Sequence, residues 1–206
     1  MFRIDCLVSA ENHLGEGPIW DDHLQALFWV DGTGNRVGNP AIWKMDYASG
    51  KIDNWYLDKD IGAMAIRKNG QAVLALSDGF YFFNFDDGSL ELIEKVDSDN
   101  TRIRLNDGKT DRRGRFIAGG MDDKEELDIC SLWQLDSDLT VKRLEENIIC
   151  CNGPCWSPDD SVFYCADTFK DTFSAYSYDI ETGLISSKRE FASSKNEQGL
   201  YDGATV

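Results

Sequence analysis

Sliding the chain forward by 136 positions lays Gly17-Pro18-Ile19-Trp20 on Gly153-Pro154-Cys155-Trp156, a self-match that few folds accommodate. At the same shift Leu27-Phe28 falls on Phe163-Tyr164 and Asp31 on Asp167, so a whole two-strand unit recurs. A shift of 136 is three steps of about 45 residues, and a period of that size marks a chain built from stacked supersecondary units.

A second series runs in phase with the first. Glu16-Gly17-Pro18, Asn106-Asp107-Gly108, Asn152-Gly153-Pro154 and Asp202-Gly203-Ala204 each set an oxygen-bearing side chain before a turn-like pair that opens an apolar strand, at intervals of 90, 46 and 50 residues. Those intervals are two, one and one repeats. Taken singly, Asn or Asp before Gly is a turn former. Recurrence in phase, with a Glu that is no turn former, favours a shared site.

The text between these points reads as short strands. Phe2, Ile4, Cys6 and Val8 alternate with polar residues, which predicts a strand over Phe2 to Val8 that closes a ring by pairing with the last unit. Gly17 to Asp31 reads as strand, Asp21-Asp22-His23 turn and strand; Ala41 to Tyr47, the turn Ala48-Ser49-Gly50 and Lys51 to Leu57 complete four strands. Ile61 to Val96 and Arg104 to Leu144 repeat the pattern, with turns at Lys68-Asn69-Gly70, Asp86-Asp87-Gly88, Arg112-Arg113-Gly114 and Asp136-Ser137-Asp138. No helical period exceeds about a turn. Four-stranded units of this length specify an all-β chain, a β-propeller. Residues 1–206 are read as one incomplete propeller domain of about four blades plus the start of a fifth.

Composition removes several function classes. With 21 basic against 37 acidic residues the net charge is −16, which repels nucleic acid and anionic membranes. The first residues lead into no apolar core of a signal peptide and no stretch approaches a membrane span, so a cytoplasmic protein is expected. Cys6, Cys130, Cys150, Cys151, Cys155 and Cys165 lack the paired C-x-x-C spacing of a structural zinc site, and a chain of this size needs no disulfide staples. They read as reduced strand residues. There is no G-x-S-x-G elbow, no G-x-G-x-x-G and no EF-hand loop. His23 reads as a solvated turn residue and Phe80 to Phe83 as core.

In a propeller the first strand of each blade lines the central channel, and residues two apart on it point the same way. Arg104 and Asn106 are therefore expected to face the channel together. Glu16, Asn152 and Asp202 supply three hard oxygen ligands suited to one divalent cation: Ca²⁺, Mg²⁺, Mn²⁺ or, less typically, Zn²⁺.

With those residues in view, the chain resembles the family of regucalcin (senescence marker protein), gluconolactonase and luciferin-regenerating enzyme. The matching words are Leu14-Gly15-Glu16-Gly17-Pro18 with Trp20, Arg104 to Lys109, Gly114-Arg115-Phe116 with Ala118-Gly119, Asn152-Gly153-Pro154, and Tyr201-Asp202-Gly203-Ala204. The resemblance implies a six-bladed propeller that hydrolyses sugar lactones with one divalent metal. It implies Glu16, Asn152 and Asp202 as metal ligands, Asp202 as general base, and Arg104 and Asn106 as substrate-holding residues. A Ca²⁺- or ligand-binding propeller without turnover, or an inactive truncated paralogue, is the alternative that the same residues leave open. Where the family reads Ala-Gly-Thr-Met this chain has Ala118-Gly119-Gly120-Met121, and the acid that follows has four candidates, Asp122, Asp123, Glu125 and Glu126. The family continues for about two further blades, so unpaired strand edges and self-association are expected of this chain.

Overall fold

The computed structural model describes residues 3–32 and 39–206. Its sixteen strands form four four-stranded antiparallel sheets, each ordered as in the sequence. Blade 1 holds β1 (Gly15–Asp21), β2 (Ala26–Asp31), β3 (Ala41–Asp46) and β4 (Ile52–Tyr56). Blade 2 holds β5 (Ile61–Ile66), β6 (Ala72–Leu76), β7 (Gly79–Phe83) and β8 (Leu90–Lys95). Blade 3 holds β9 (Ile103–Thr110), β10 (Phe116–Asp122), β11 (Cys130–Leu135) and β12 (Val141–Ile148). Blade 4 holds β13 (Cys151–Trp156), β14 (Val162–Asp167), β15 (Thr172–Asp179) and β16 (Leu184–Ser193).

The expected repeat survives to the level of register. Trp20 pairs with Leu27 and Glu16 with Val30; 136 positions on, Trp156 pairs with Phe163 and Asn152 with Ala166. The loops that enter these strands repeat too. Asp31 accepts the backbone N–H groups of His13 and Leu14, and Asp167 accepts those of Ile149 and Cys150, again 136 apart. Short polar side chains close the hairpins at the places their turn chemistry requires, as where Asp46 accepts the N–H of Ser49 and Asn84 that of Asp86.

Each blade buries one face against the next. Phe28, Val30 and Ile42 pack on Leu74, Leu76 and Phe83 between blades 1 and 2. Ala63 and Phe80 meet Leu105 and Phe116 between blades 2 and 3, and Ile117 and Leu132 meet Trp156, Phe163 and Tyr178 between blades 3 and 4. The last seam also holds a buried ion pair: Arg115 donates to Asp111 at 2.8 Å and to the Ile180 carbonyl at 2.8 Å, and the Tyr178 hydroxyl donates to Asp111 at 2.7 Å. The outermost strands β4, β8, β12 and β16 are largely exposed.

Two expected strands do not form. Residues 3–8 carry no strand and are mostly exposed, Ile4 to 94%; Phe2 lies outside the described residues. Leu7, Val8 and Ala10 lie instead beside Leu27 and Trp29, and Trp29 donates its indole N–H to Asn12. Alternating polarity gives a strand only where a ladder partner accepts it, and none of the described strands lies alongside residues 3–8. For the same reason residues 201–206 run as irregular backbone rather than as the opening strand of a fifth blade.

Candidate active site

All four inner strands carry a bulge at one level. On β1, Gly17-Pro18 stand opposite Trp29 alone; on β5, Gly62 is the extra residue between Ile61 and Ala63; on β9, Asn106 is extra between Leu105 and Asp107; on β13, Gly153-Pro154 stand opposite Cys165. A bulge re-aims side chains at its position. Glu16 and Asn152 are the last paired residues before their bulges, as Ile61 is on β5, while Asn106 is itself the extra residue of β9, as Gly62 is of β5; blade 2 alone offers no side-chain oxygen at this level. Gly17 and Gly153 adopt φ of 57° and 60°, the left-handed region that glycine enters without steric cost. At Gly62 the demand is space, since a Cβ would lie 2.4 Å from the Leu105 carbonyl oxygen of the next inner strand.

The bulges surround a cavity of about 600 Å³ lined by Glu16, Met64, Asp107, Lys109, Pro154 and Asp202. Three carboxylates from distant parts of the chain therefore share one space. Burial pushes the Glu16 carboxyl up to about 7, reinforced by the charges of Asp202 and then Asp107 and opposed by Arg104. Burial likewise raises Asp107, although it accepts N–H groups from Gly153 at 2.8 Å and Gly108 at 2.7 Å.

Asn106 turns toward blade 4. Its Nδ2 donates to the Cys151 carbonyl and to Asn152 Oδ1, each at 3.0 Å. Asn152 in turn donates to Thr168 at 2.8 Å, and Thr168 donates to the Tyr201 carbonyl at 2.9 Å. The segment around Asp202 is thereby held against blade 4, with Tyr201 on the ring of Phe173 and Lys109 3.5 Å from the Ala204 carbonyl.

Arg104 and Asn106, expected to face the channel together, take different partners. The Arg104 guanidinium is 11% exposed and meets Asp123 at 3.2 Å, the Leu105 carbonyl and the Met121 sulfur. This separates three of the four candidate acids. Asp122 is fully buried, gripped by Arg102 at 2.7 and 2.6 Å and by the N–H groups of Glu126 and Leu127, which hold its carboxyl well below the usual carboxylate range. Glu126 also sits on Arg102, and Asp123 is the acid that ion-pairs with Arg104. Sequence reasoning passed over Asp107, whose only signal was its place beside Asn106 in the same motif.

Among the described residues no three His, Cys, Asp or Glu side chains gather as a ready metal cluster. The side chains that could hold a cation are two carboxylates, Glu16 and Asp202, and the amide oxygen of Asn152, which keeps a lone pair beyond the one that Asn106 occupies. Oxygen donors in a space where burial first, and neighbouring carboxylates second, resist ionisation of Glu16 are of the kind that fits a hard divalent cation. Asp107 is turned onto backbone N–H groups and is not counted among them.

The family model described as the SMP-30/Gluconolactonase/LRE-like region matches residues 14–206. The chain belongs to this family. It is 32% identical to regucalcin of Xenopus laevis, an alignment that takes in 99% of this chain and 68% of that protein. Among solved structures it is similar to a luciferin-regenerating enzyme, with a TM-score of 0.83, 30% identity, and coverage of 94% of this chain and 66% of the other. It is similar also to a calcium-binding protein, regucalcin, from Agrobacterium tumefaciens, with a TM-score of 0.85 at 26% identity and coverage of 94% and 64%. The family member described here thus spans about two thirds of the length of these relatives, and its four sheets are four propeller blades. Its cysteines are free, five of them buried and Cys6 exposed, and none of the described helices is long and apolar enough to cross a membrane.

Proposed function

We propose that this propeller hydrolyses sugar lactones with the help of one divalent cation. The observation that carries the reading is the convergence of Glu16, Asp107 and Asp202 on one cavity, beside the hydrogen-bonded pair Asn106 and Asn152. Glu16, Asn152 and Asp202 would hold the cation. When bound, it supplies Lewis-acid polarisation of the lactone carbonyl. Asp202, exposed at the cavity wall, accepts the proton of the attacking water at a carboxylate oxygen. Arg104, ion-paired with Asp123, and Asn106 would orient the sugar hydroxyls from beside the cavity. Free thiols fit a reducing, cytoplasmic setting.

Hydrolysis of glucono-1,5-lactone and related aldonolactones by metal-replete protein tests this. Asp202→Ala is expected to lower the rate by about a hundredfold or more, the usual scale for loss of a general base. Equal rates for the variant and the parent would overturn the enzyme reading.

A second reading, a Ca²⁺-binding propeller without turnover, draws its calcium-binding part from the Agrobacterium tumefaciens relative, described as a calcium-binding protein. Calorimetric metal uptake alongside lactone decay no faster than buffer would select it.

A further inference from the structure

We propose that the hydroxyl of Thr168 is a positioning group that ties the side chain of Asn152 to the main chain carrying Asp202. This rests on the metal-dependent reading above, because it assigns a device that sets two of the three proposed ligands relative to each other. Thr168 follows β14 in a short 3-10 turn and is 5% exposed. Its backbone is fixed first, by donation of its N–H to the Cys150 carbonyl at 2.9 Å, while Asp167 beside it receives the N–H groups of Ile149 and Cys150. The hydroxyl accepts from Asn152 Nδ2 at 2.8 Å and donates to the Tyr201 carbonyl at 2.9 Å. A hydroxyl is one donor and two acceptors, so a single group serves both partners.

The internal repeat shows what this residue adds. In blade 1 the equivalent of Thr168 is Gly32, whose N–H bonds to the Leu14 carbonyl at 2.8 Å just as that of Thr168 bonds to Cys150, 136 positions away. Backbone and flanking aspartate repeat, but the hydroxyl does not. The difference matches the ligand each blade offers. The two oxygens of Glu16 are equivalent, so no partner has to choose between them. Asn152 must aim its oxygen and turn its NH₂ aside; Thr168 takes the NH₂ while Asn106 donates to the oxygen. Groups that orient a ligand in this way typically change metal affinity by about 10- to 100-fold when removed.

Thr168→Val keeps the shape and removes both bonds; Thr168→Ser keeps the hydroxyl. Two readouts are compared on the 206-residue chain: amide hydrogen exchange across residues 199–205, and Ca²⁺ or Mn²⁺ affinity by calorimetry. We expect valine to speed exchange in that segment and to weaken cation binding by about tenfold or more, and serine to stay within roughly threefold of the parent in both. Should valine fail to melt cooperatively, Thr168→Ala replaces it in the same comparison. Unchanged exchange in the hydroxyl-free variant, or equal losses for valine and serine, would overturn the proposal. Absence of cation binding by the parent would instead sink the metal-dependent reading, and the exchange comparison would still decide whether Thr168 makes the tie.

Discussion

At the scale of single residues, the site is governed by how much negative charge one small space tolerates. Glu16 titrates near 7 because it is buried and because Asp202 and Asp107 share its cavity. Its folded value lies above its ordinary 4.5, so the unfolded chain loses this proton first as pH rises. Between pH 4.5 and about 7 the folded state binds more protons than the unfolded one, and stability falls with pH across that window. Above it the contribution is constant. In chelator-treated protein we expect the parent to lose stability relative to Glu16→Gln over this window, read from melting curves of both. Cation affinity should run the other way, rising with pH until Glu16 is ionised, since the ligand must be deprotonated. A parent and variant whose melting temperatures run parallel from pH 4.5 to 8 would remove Glu16 from the charged cluster.

At the scale of strands, much was legible because the repeat is written in residues that fix register. Gly17-Pro18 and Gly153-Pro154 mark the bulges, and Trp20 and Trp156 mark the pairs that follow. The breaks between β1 and β2 and between β3 and β4 follow from Asp21-Asp22-His23 and Ala48-Ser49-Gly50, whose residues favour turns. The strand expected at Phe2 to Val8 is absent over residues 3–8 because polarity alternation describes a face and says nothing about a partner. Asp107 and Thr168 were missed for another reason: their roles lie in bonds to another segment, from Gly153 to Asp107 and from Thr168 to Tyr201, and no spacing rule encodes those. The seam between blades 3 and 4 makes the same point energetically. Arg115 in the Gly114-Arg115-Phe116 motif reads as a turn-flanking residue, yet it reaches Asp111 and the Ile180 carbonyl in a pocket where Asp111 is 6% exposed. Arg115→Met leaves that carboxylate buried without its cation, and we expect a loss of about 3 kcal/mol in denaturant unfolding, the lower end for a broken buried pair. A change below about 0.5 kcal/mol, the size of an ordinary surface substitution, would mean that solvent already reaches Asp111.

For the molecule as a whole, the two end blades each present aromatic side chains on the face turned away from their neighbour. On blade 4, Phe163, Cys165 and Tyr176 pack toward blade 3, while Tyr164, Phe173, Phe191 and Tyr201 form a separate ring cluster with Phe191 60% exposed. On blade 1, Trp20 meets Tyr47 edge-on, and Trp20, Tyr47 and Tyr56 are 46%, 64% and 65% exposed. Contiguous apolar surface of this kind drives association. The net charge of −16 opposes it between identical copies. The two terms respond oppositely to salt, because screening shortens the reach of the repulsion from about 10 Å at 0.1 M to about 3 Å at 1 M while leaving apolar burial favourable. Sedimentation velocity should therefore show a monomer at low ionic strength and a reversible, concentration-dependent dimer at high ionic strength. Phe191→Asp adds charge in the middle of the blade 4 cluster without touching the packed face, and it should stay monomeric under both conditions with its cavity residues undisturbed. If the parent sediments as a monomer at every salt and protein concentration, these faces do not bind a second copy, and the aromatic cluster acts only within blade 4.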